Sequence, residues 1–267
     1  MHPFFCGLST GTLFFLLAGG VGGAAALAAG RRAGISLWGL AGLVATVLVA
    51  FYVGSRTYAF GESALRYGFE ARLFLAGGMR ATGGMILSAA IFPLARRRFF
   101  PEHSALALGD LLVVPLCLTM AVARLGCFLH GCCYGTPSGL PWAVRFPHGS
   151  PAWIAHVSAA LLPPDAPASL PIHPLQLYFA AWSLAVALVL LALRRWCTRE
   201  GQLLLLFGAL HEGGKGLLES LRAPAPELHL QVGSLAIACA AIAALIVLSW
   251  SVRPVTAGGS PAIGRTA

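Results

Sequence analysis

The stretch that decides the fold reads ARLGCFLHGCCYGTPSGLPWAVRFP and runs from Ala123 to Pro147. It starts within an apolar segment and passes through Gly131 and Gly135 into a polar loop. Arg124 lies in the apolar part, where a guanidinium costs at least about 2.5–3.5 kcal/mol on membrane-insertion scales. A charge at this depth normally has a ligand or a partner. The stretch therefore predicts a functional site at a membrane surface.

The composition of the whole chain is typical of an integral membrane protein. Hydrophobic residues make up 58% of the 267 and charged residues 10%, whereas soluble domains carry roughly 25% charged residues. Mean hydropathy is +0.80. The net charge of +9 comes from basic residues dispersed among apolar segments, so we expect no nucleic-acid partner. The seven cysteines do not predict a disulfide framework, and the N-terminus lacks the pattern of a cleaved signal peptide.

Seven apolar segments approach the roughly 20 residues that cross a bilayer. They cover residues 10–30, 35–54, 73–94, 106–129, 174–193, 203–222 and 230–250. The sequence therefore predicts an all-α, polytopic membrane protein with about seven transmembrane helices. We expect one integral membrane domain over residues 1–252, followed by a tail over residues 253–267.

Arginine is distributed unequally between alternate loops, which predicts the orientation in the membrane. The richer loops follow the odd-numbered segments and contain Arg31, Arg32, Arg96, Arg97, Arg98, Arg194, Arg195, Arg199, Arg253 and Arg265. Because basic loops face the cytoplasm, we predict that the N-terminus is outside and the tail is cytoplasmic. The long polar loop over residues 131–173 then lies on the extracytoplasmic side. Its short apolar stretch Ala152–Leu162 could lie on the membrane surface.

Arg124 is the first candidate binding residue. It is spaced to share a helix face with Cys127 and His130, and an arginine can bind a phosphate through two parallel hydrogen bonds. The alternative is an arginine that reaches from a helix end to the membrane interface.

A metal site is a separate interpretation of the same stretch. Four soft ligands lie close together, namely Cys127, His130, Cys132 and Cys133. Adjacent cysteines do not easily bind one tetrahedral ion, and the spacing matches no common zinc motif. We therefore expect small cysteines packed between helices and predict no metal.

The sixth segment carries four ionisable residues on one helical stripe of alternating sign. They are Glu212, Lys215, Glu219 and Arg222. Charged residues in a span face the protein interior or a wet cavity. The stripe either forms ion pairs that fix helix packing, or it holds Lys215 and Arg222 toward the same anion as Arg124.

The third segment contains glycine pairs at residues 77–78 and 83–84, on either side of Arg80. Glycines at this spacing indicate close helix packing. Arg80 is a second charge in an apolar environment and needs a partner, for which Glu70 or a lipid phosphate would serve.

The fifth segment opens with His173, Pro174 and Tyr178. A histidine here could exchange a proton near neutral pH. The alternative is a belt of histidine and tyrosine at the membrane interface.

Together these motifs resemble the prolipoprotein diacylglyceryl transferase family. The family pattern G-R-x-G-N-F-x-N-G-E-x-x-G corresponds to residues 123–135, and L-P-W-G-V-x-F-P corresponds to residues 140–147. The pattern H-P-S-Q-L-Y-E corresponds to residues 173–179, which read HPLQLYF. The late R-x-x-x-E-x-x-R corresponds to Lys215, Glu219 and Arg222.

The resemblance implies transfer of the diacylglyceryl group from phosphatidylglycerol to the lipobox cysteine of a prelipoprotein signal peptide. It implies a multi-pass protein of the bacterial inner membrane and no external cofactor. The residues expected to bind substrate are Arg124, Gly126, Gly135, Gln176, Tyr178, Glu219 and Arg222. The candidate catalytic residues are Arg124, His130, His173 and Lys215.

Five of the departures from the family pattern bear on the reaction. Thr82 stands for a histidine, Cys127 and His130 for two asparagines, Cys132 for a glutamate and Lys215 for an arginine. Threonine cannot deprotonate a thiol, and lysine lacks the two-pronged geometry of arginine. Two hypotheses therefore stay open: the family's transferase reaction, and a lipid- or metal-binding membrane protein on the same scaffold.

Overall fold

The computed structural model describes residues 4–5, 8–68, 79–224 and 228–250. Within these ranges, two-residue strands β1 (Phe4–Phe5) and β2 (Leu8–Ser9) pair antiparallel, and all other regular structure is helical. The α-helices are α1 (Thr10–Arg32), α2 (Leu37–Tyr67), α3 (Ala81–Phe99), α4 (Ala105–His130), α5 (Pro151–Ser158), α6 (Leu175–Leu193), α7 (Gln202–Leu218) and α8 (Leu228–Trp250). A 3-10 turn, Glu219–Leu221, follows α7. The predicted all-α class is confirmed.

Four helices are long and apolar enough to cross a membrane. They correspond to α1, α2, α4 and α6, over Leu13–Arg32, Leu37–Leu65, Ala105–His130 and Leu175–Leu193. Helix α8 contains a shorter apolar stretch, Val232–Leu248. Helices α3 and α7 correspond to the third and sixth predicted segments. The total of seven spans and their orientation stay predictions, and the tail over residues 253–267 lies outside the described residues.

The chain divides into two compact units, one covering residues 26–111 and the other covering residues up to 25 and from 112 onward. In the first unit, α2 packs closely against α3. Gly83 and Gly84 are buried, and a Cβ on Gly84 would lie 2.7 Å from the carbonyl oxygen of Phe51 on α2. The predicted role of this glycine pair in helix packing is confirmed, whereas residues 77–78 lie outside the described residues.

Arg80 also belongs to the first unit and immediately precedes α3. Its guanidinium donates two hydrogen bonds to the carboxylate of Glu62, with Nε–Oε2 at 2.8 Å and Nη2–Oε1 at 3.1 Å. The expected partner Glu70 lies outside the described residues. Thr82, two residues further along, is exposed on the first turn of α3. Arg80 therefore has a carboxylate partner on α2.

In the second unit, the core forms where α6 contacts α4 and α7. Its buried side chains are Val113, Cys117, Val186, Ala187 and Leu190. Gly214 on α7 lets the indole of Trp182 approach so closely that any Cβ would overlap it. The indole Nε1 of Trp182 also donates to the carbonyl of Leu210 at 3.2 Å. This contact positions α7, whose end carries Glu219 and Arg222, against α6.

The long loop between α4 and α6 has a small core of its own, formed by Tyr134, Phe146, Ala152 and Ile172. Helix α5 is preceded by its N-cap Ser150, whose hydroxyl accepts a hydrogen bond from the Trp153 amide, as is usual for an N-cap. The Trp153 indole donates to the Ala166 carbonyl at 2.8 Å. One face of the short apolar stretch Ala152–Leu162 is therefore buried in the loop, whereas Ile154 of the same stretch is exposed.

Candidate functional site

Three distant segments of the second unit meet at one joint, formed by residues 134–136, 172–173 and 221–223. Backbone hydrogen bonds join them, from Gly135 N to His173 O (3.1 Å), His173 N to Thr136 O (3.1 Å), Thr136 N to Leu221 O (2.7 Å) and Ala223 N to Tyr134 O (3.1 Å). The joint brings the start of the loop, the residues before α6 and the end of α7 together. It thereby assembles three of the sequence motifs.

Gly135 is at the centre of this joint. A Cβ on it would lie 2.6 Å from the Cβ of His173 and 2.9 Å from the carbonyl oxygens of His173 and Leu221. Real Cβ atoms do not approach other atoms so closely, so no other residue fits without displacing a segment. The sequence predicted a substrate-binding role for Gly135; its observed contacts are with the joint itself.

Arg124 lies in the last two turns of α4 and is partly buried. Its guanidinium carbon is 4.4 Å from the centre of the Phe179 ring on α6, a distance at which a cation is attracted to an aromatic face. Phe179 is itself buried and occupies the position at which the family pattern has glutamate. Among the described residues, Arg124 forms no salt bridge with a carboxylate. Its N–H groups can therefore bind an anion.

The predicted stripe on α7 consists of two ion pairs. Lys215 Nζ is 3.2 Å from Glu212 Oε2, and Arg222 Nη1 is 3.4 Å from Glu219 Oε1. The carboxylate of Glu219 is buried, while a third of the Arg222 side chain is exposed. Each basic residue of the stripe thus has a carboxylate partner. Arg222 also lies close to Cys133, one of the cysteines that follow α4.

Cys127, Cys132 and Cys133 form a cluster in which all three Sγ atoms lie within 4.8 Å of one another. Cys133 has a φ of 57°, a left-handed conformation that is uncommon outside glycine. This conformation lets two adjacent side chains converge, which the sequence did not predict. The Nη2 atom of Arg222 is 4.0 Å from Cys133 Sγ.

The thiol cluster has uneven proton affinities. Hydrogen bonds from the thiols of Cys127 and Cys132, together with the charges of Arg124 and Arg222, hold the pKa of Cys133 far below its usual range. Hydrogen bonds with Cys127 and Cys133, together with burial, raise the pKa of Cys132. Cys133 is therefore the thiol of the cluster that loses its proton most readily.

Gln176 is fully buried on the first turn of α6. Its Nε2 donates to the carbonyl of Cys132 at 2.6 Å, and its Oε1 has no hydrogen-bond partner among the described residues. Gln176 was predicted to bind substrate; the structure gives it a contact that fixes the cysteine turn.

His173 and Tyr178 are linked by their side chains. The Tyr178 hydroxyl is 3.3 Å from His173 Nδ1 and accepts a hydrogen bond from Trp142 Nε1 at 2.7 Å. Because the hydroxyl accepts from Trp142, its own proton is available to His173 Nδ1. The Trp142 contact therefore orients the Tyr178 hydroxyl beside His173 Nδ1.

Two other predicted residues lie differently. His130, the last residue of α4, is exposed. Gly126 faces α1, where a Cβ would overlap the Phe14 side chain. Sequence reasoning missed Phe179 and Trp142 as parts of the site. Phe179 and Trp142 were within the matched motifs, but only the tertiary structure pairs them with Arg124 and Tyr178.

The comparisons with known proteins agree with the motifs. A family model described as prolipoprotein diacylglyceryl transferase matches residues 12–250. Three relatives named phosphatidylglycerol–prolipoprotein diacylglyceryl transferase illustrate the similarity. The protein from Clostridium tetani is 32% identical over 113 residues, which are 42% of this chain and 40% of the relative. The protein from Symbiobacterium thermophilum is 27% identical over 187 residues, 68% of this chain and 62% of the relative.

The third relative, from Nitrobacter winogradskyi, is 30% identical over 216 residues, 77% of this chain and 67% of the relative. The chain thus spans between 40% and 67% of the length of these three proteins. The resemblance inferred from the motifs is confirmed, because the family model extends from α1 to the end of α8. With its four long apolar helices, the chain is a multi-pass membrane protein that belongs to the prolipoprotein diacylglyceryl transferase family.

Proposed function

We propose that this protein transfers the diacylglyceryl group of phosphatidylglycerol to the lipobox cysteine of a prelipoprotein, in the inner membrane of a bacterium. The names of the relatives support the reaction. The observation that carries the proposal for this chain is the environment of Arg124. Its guanidinium rests on the Phe179 ring at 4.4 Å and keeps its hydrogen-bond donors for an anion.

The reaction needs such an arginine. The bond between the glyceryl carbon and the phosphate oxygen breaks, a carbon–sulfur bond forms, and glycerol phosphate leaves with the electron pair. An anion that leaves in a poorly solvated site requires fixed positive charge. Arg124 would supply this charge directly. Arg222 would add a second guanidinium, since the charges of both arginines lower the pKa of the same thiol, Cys133.

The acceptor thiol must also lose its proton. We assign this step to the Tyr178–His173 pair: the hydroxyl of Tyr178 takes the thiol proton while it gives its own to His173 Nδ1, 3.3 Å away. Trp142 holds the hydroxyl in place through the hydrogen bond at 2.7 Å. His130 is the alternative base, since it is exposed at the end of α4. Lys215, paired with Glu212, contributes charge to the same end of α7.

The proposed topology suits this chemistry. Seven spans with the N-terminus outside would expose the loop over residues 131–173 on the extracytoplasmic side, where secreted prelipoproteins present their cysteine. The arginine-rich loops and the tail would then face the cytoplasm, as the positive-inside rule requires. Gln176 would act by holding the cysteine turn, and Glu219 by holding Arg222. Gly126 and Gly135 would act by allowing close packing around the place where Arg124 binds the lipid.

The test is a transfer assay with the purified full chain in detergent micelles containing phosphatidylglycerol. A lipobox peptide is added, and mass spectrometry detects the thioether-linked diacylglyceryl product. We expect product with the native chain and none with Arg124→Ala. Arg195→Ala is the matched control, because Arg195 also lies over an aromatic ring, Trp196 at 4.1 Å, but outside the site; it should leave the activity unchanged.

The proposal fails if the native chain makes no thioether product under conditions in which the Clostridium tetani relative does. It also fails if Arg124→Ala and Arg195→Ala retain equal activity.

A further inference from the structure

The cysteine cluster at the end of α4 is not used by the proposed transfer reaction. Three thiols within 4.8 Å of one another, in a turn whose backbone is hydrogen-bonded on several sides, form a concentration of soft ligands. We propose that Cys127, Cys132 and Cys133 bind one Cu(I) ion as a three-thiolate site. Its ligands are thiols that have no role in the proposed transfer reaction.

The geometry needs little change to accept the ion. A metal–sulfur bond of about 2.3 Å sets the three sulfurs of a trigonal site about 4.0 Å apart. The observed upper limit of 4.8 Å leaves less than about 1 Å of closure for each pair, which side-chain rotation can supply. The left-handed φ of Cys133 already removes the difficulty that adjacent cysteines normally present.

The backbone of the turn is held in place before any ion binds. The amide of Cys132 donates to the carbonyl of Cys127 at 3.2 Å, and the buried amide of Gln176 donates to the carbonyl of Cys132 at 2.6 Å. Gly131 supplies another left-handed residue with φ 80°. A turn fixed in this way loses little conformational freedom when its side chains bind a ligand.

The charges around the cluster select a monovalent ion. Three thiolates and one Cu(I) carry a net charge of −2, which would be costly in a partly buried place without compensation. Arg124 and Arg222 provide two positive charges, with Arg222 Nη2 at 4.0 Å from Cys133 Sγ. The completed site would therefore be neutral.

The ligand set also distinguishes copper from zinc. Thiolate ligands favour soft ions such as Cu(I), whereas structural zinc sites are almost always four-coordinate. Among the described residues, the group close enough to share an ion comprises the three thiols without a histidine or a carboxylate. Three-coordinate Cu(I) fits that group as it stands.

The experiment uses the full chain, purified anaerobically with reduced thiols. Cu(I) is supplied as its bicinchoninate complex, so that only a competing site takes up copper, and bound copper is measured by elemental analysis. We expect about one copper per chain, with X-ray absorption showing sulfur neighbours at about 2.3 Å. Cys132→Ser should lose this copper, whereas Cys239→Ser, which removes an exposed thiol on α8, should retain it.

A second variant separates loss of a ligand from loss of the fold. Arg222→Gln keeps all three thiols, and removal of the neutralising charge should weaken Cu(I) binding about tenfold, as is typical for outer-sphere changes. The proposal is overturned if the native chain takes no copper from bicinchoninate, or if Cys132→Ser and Cys239→Ser bind equal amounts. It is also overturned if zinc is retained in the three thiols in preference to copper.

Discussion

Arg80 and Arg124 are two arginines from apolar segments of the sequence, and their guanidinium groups have different partners. Arg80, before α3, donates two hydrogen bonds to the carboxylate of Glu62. Arg124, near the end of α4, rests on the face of Phe179 and has no carboxylate partner among the residues the structure describes. The first arrangement uses the donors of the guanidinium, and the second leaves them free. We therefore predict that Arg124, and not Arg80, binds an anion.

The test with the largest expected effect replaces each arginine with lysine. Arg124→Lys should lower the transfer rate about 100-fold, because lysine keeps the charge but loses the two-pronged contact with phosphate. Arg80→Lys should leave the rate within about twofold, since an exposed ion pair contributes little. Both are measured with the lipobox-peptide assay. Equal losses in the two variants would contradict the contrast.

The joint that places the Arg124 region beside α6 and α7 provides the second test. Gly135→Ala introduces a Cβ 2.6 Å from His173, and such overpacking costs about 1–3 kcal/mol. We expect a lower unfolding temperature and reduced transfer activity. Gly139→Ala is the control, because a Cβ there meets open space; a similar loss in that variant would show that the loop tolerates no alanine at all.

The loop over residues 131–173 should respond to pH, while the α2–α3 pair that holds Arg80 should not. Burial lowers the pKa of His156 from its ordinary 6.5, and its Nδ1 accepts a hydrogen bond from the Leu170 amide at 3.2 Å. The neutral ring is therefore the form that the fold prefers. Its contribution to stability is complete above pH 6.5 and is lost as the pH falls through the lower folded-state pKa.

Hydrogen exchange measures this effect at the Leu170 amide. One proton limits the slope to about 1.4 kcal/mol per pH unit, and protection should fall as the pH decreases below 6.5. His156→Asn keeps an acceptor and does not titrate, so its protection should not change with pH. A native chain with constant protection at Leu170 would refute the assignment.

The smallest expected effect concerns the ring beneath Arg124. Phe179→Leu keeps an apolar side chain but removes the aromatic face, which contributes about 1 kcal/mol at a partly buried site. The KM for phosphatidylglycerol should rise about fivefold with little change in kcat. A lower kcat with an unchanged KM would mean that the ring acts on the reaction instead of on binding.

The amino-acid sequence predicted much of the helical architecture, because membrane helices can be recognised from local composition. The apolar segments, the packing of the glycine pair at residues 83–84 and the charged stripe of α7 each follow from hydropathy or helical spacing. The boundaries were less accurate for α3, which begins at Ala81 where the sequence suggested residue 73. The family resemblance followed from motifs that are short but correctly ordered.

The details of the site depended on contacts between distant residues. Nothing in the local sequence pairs Arg124 with Phe179, or brings Gly135 against His173 and Leu221. The convergence of Cys132 and Cys133 depends on a left-handed backbone at Cys133, which residue preferences oppose. Gln176, Gly126 and Gly135 were therefore predicted as ligand contacts, although their described contacts are with the protein itself.

The joint at Gly135 has a consequence for biosynthesis. A ribosome delivers the chain from the N-terminus, so residues 134–136 and 172–173 are made well before Leu221, which supplies the third side of the joint. Arg222 can come close to Arg124 and the cysteine turn only after α7 has been synthesised. A nascent chain that stops before residue 221 would lack this joint, and the full set of charges assembles only after Arg222 has been added.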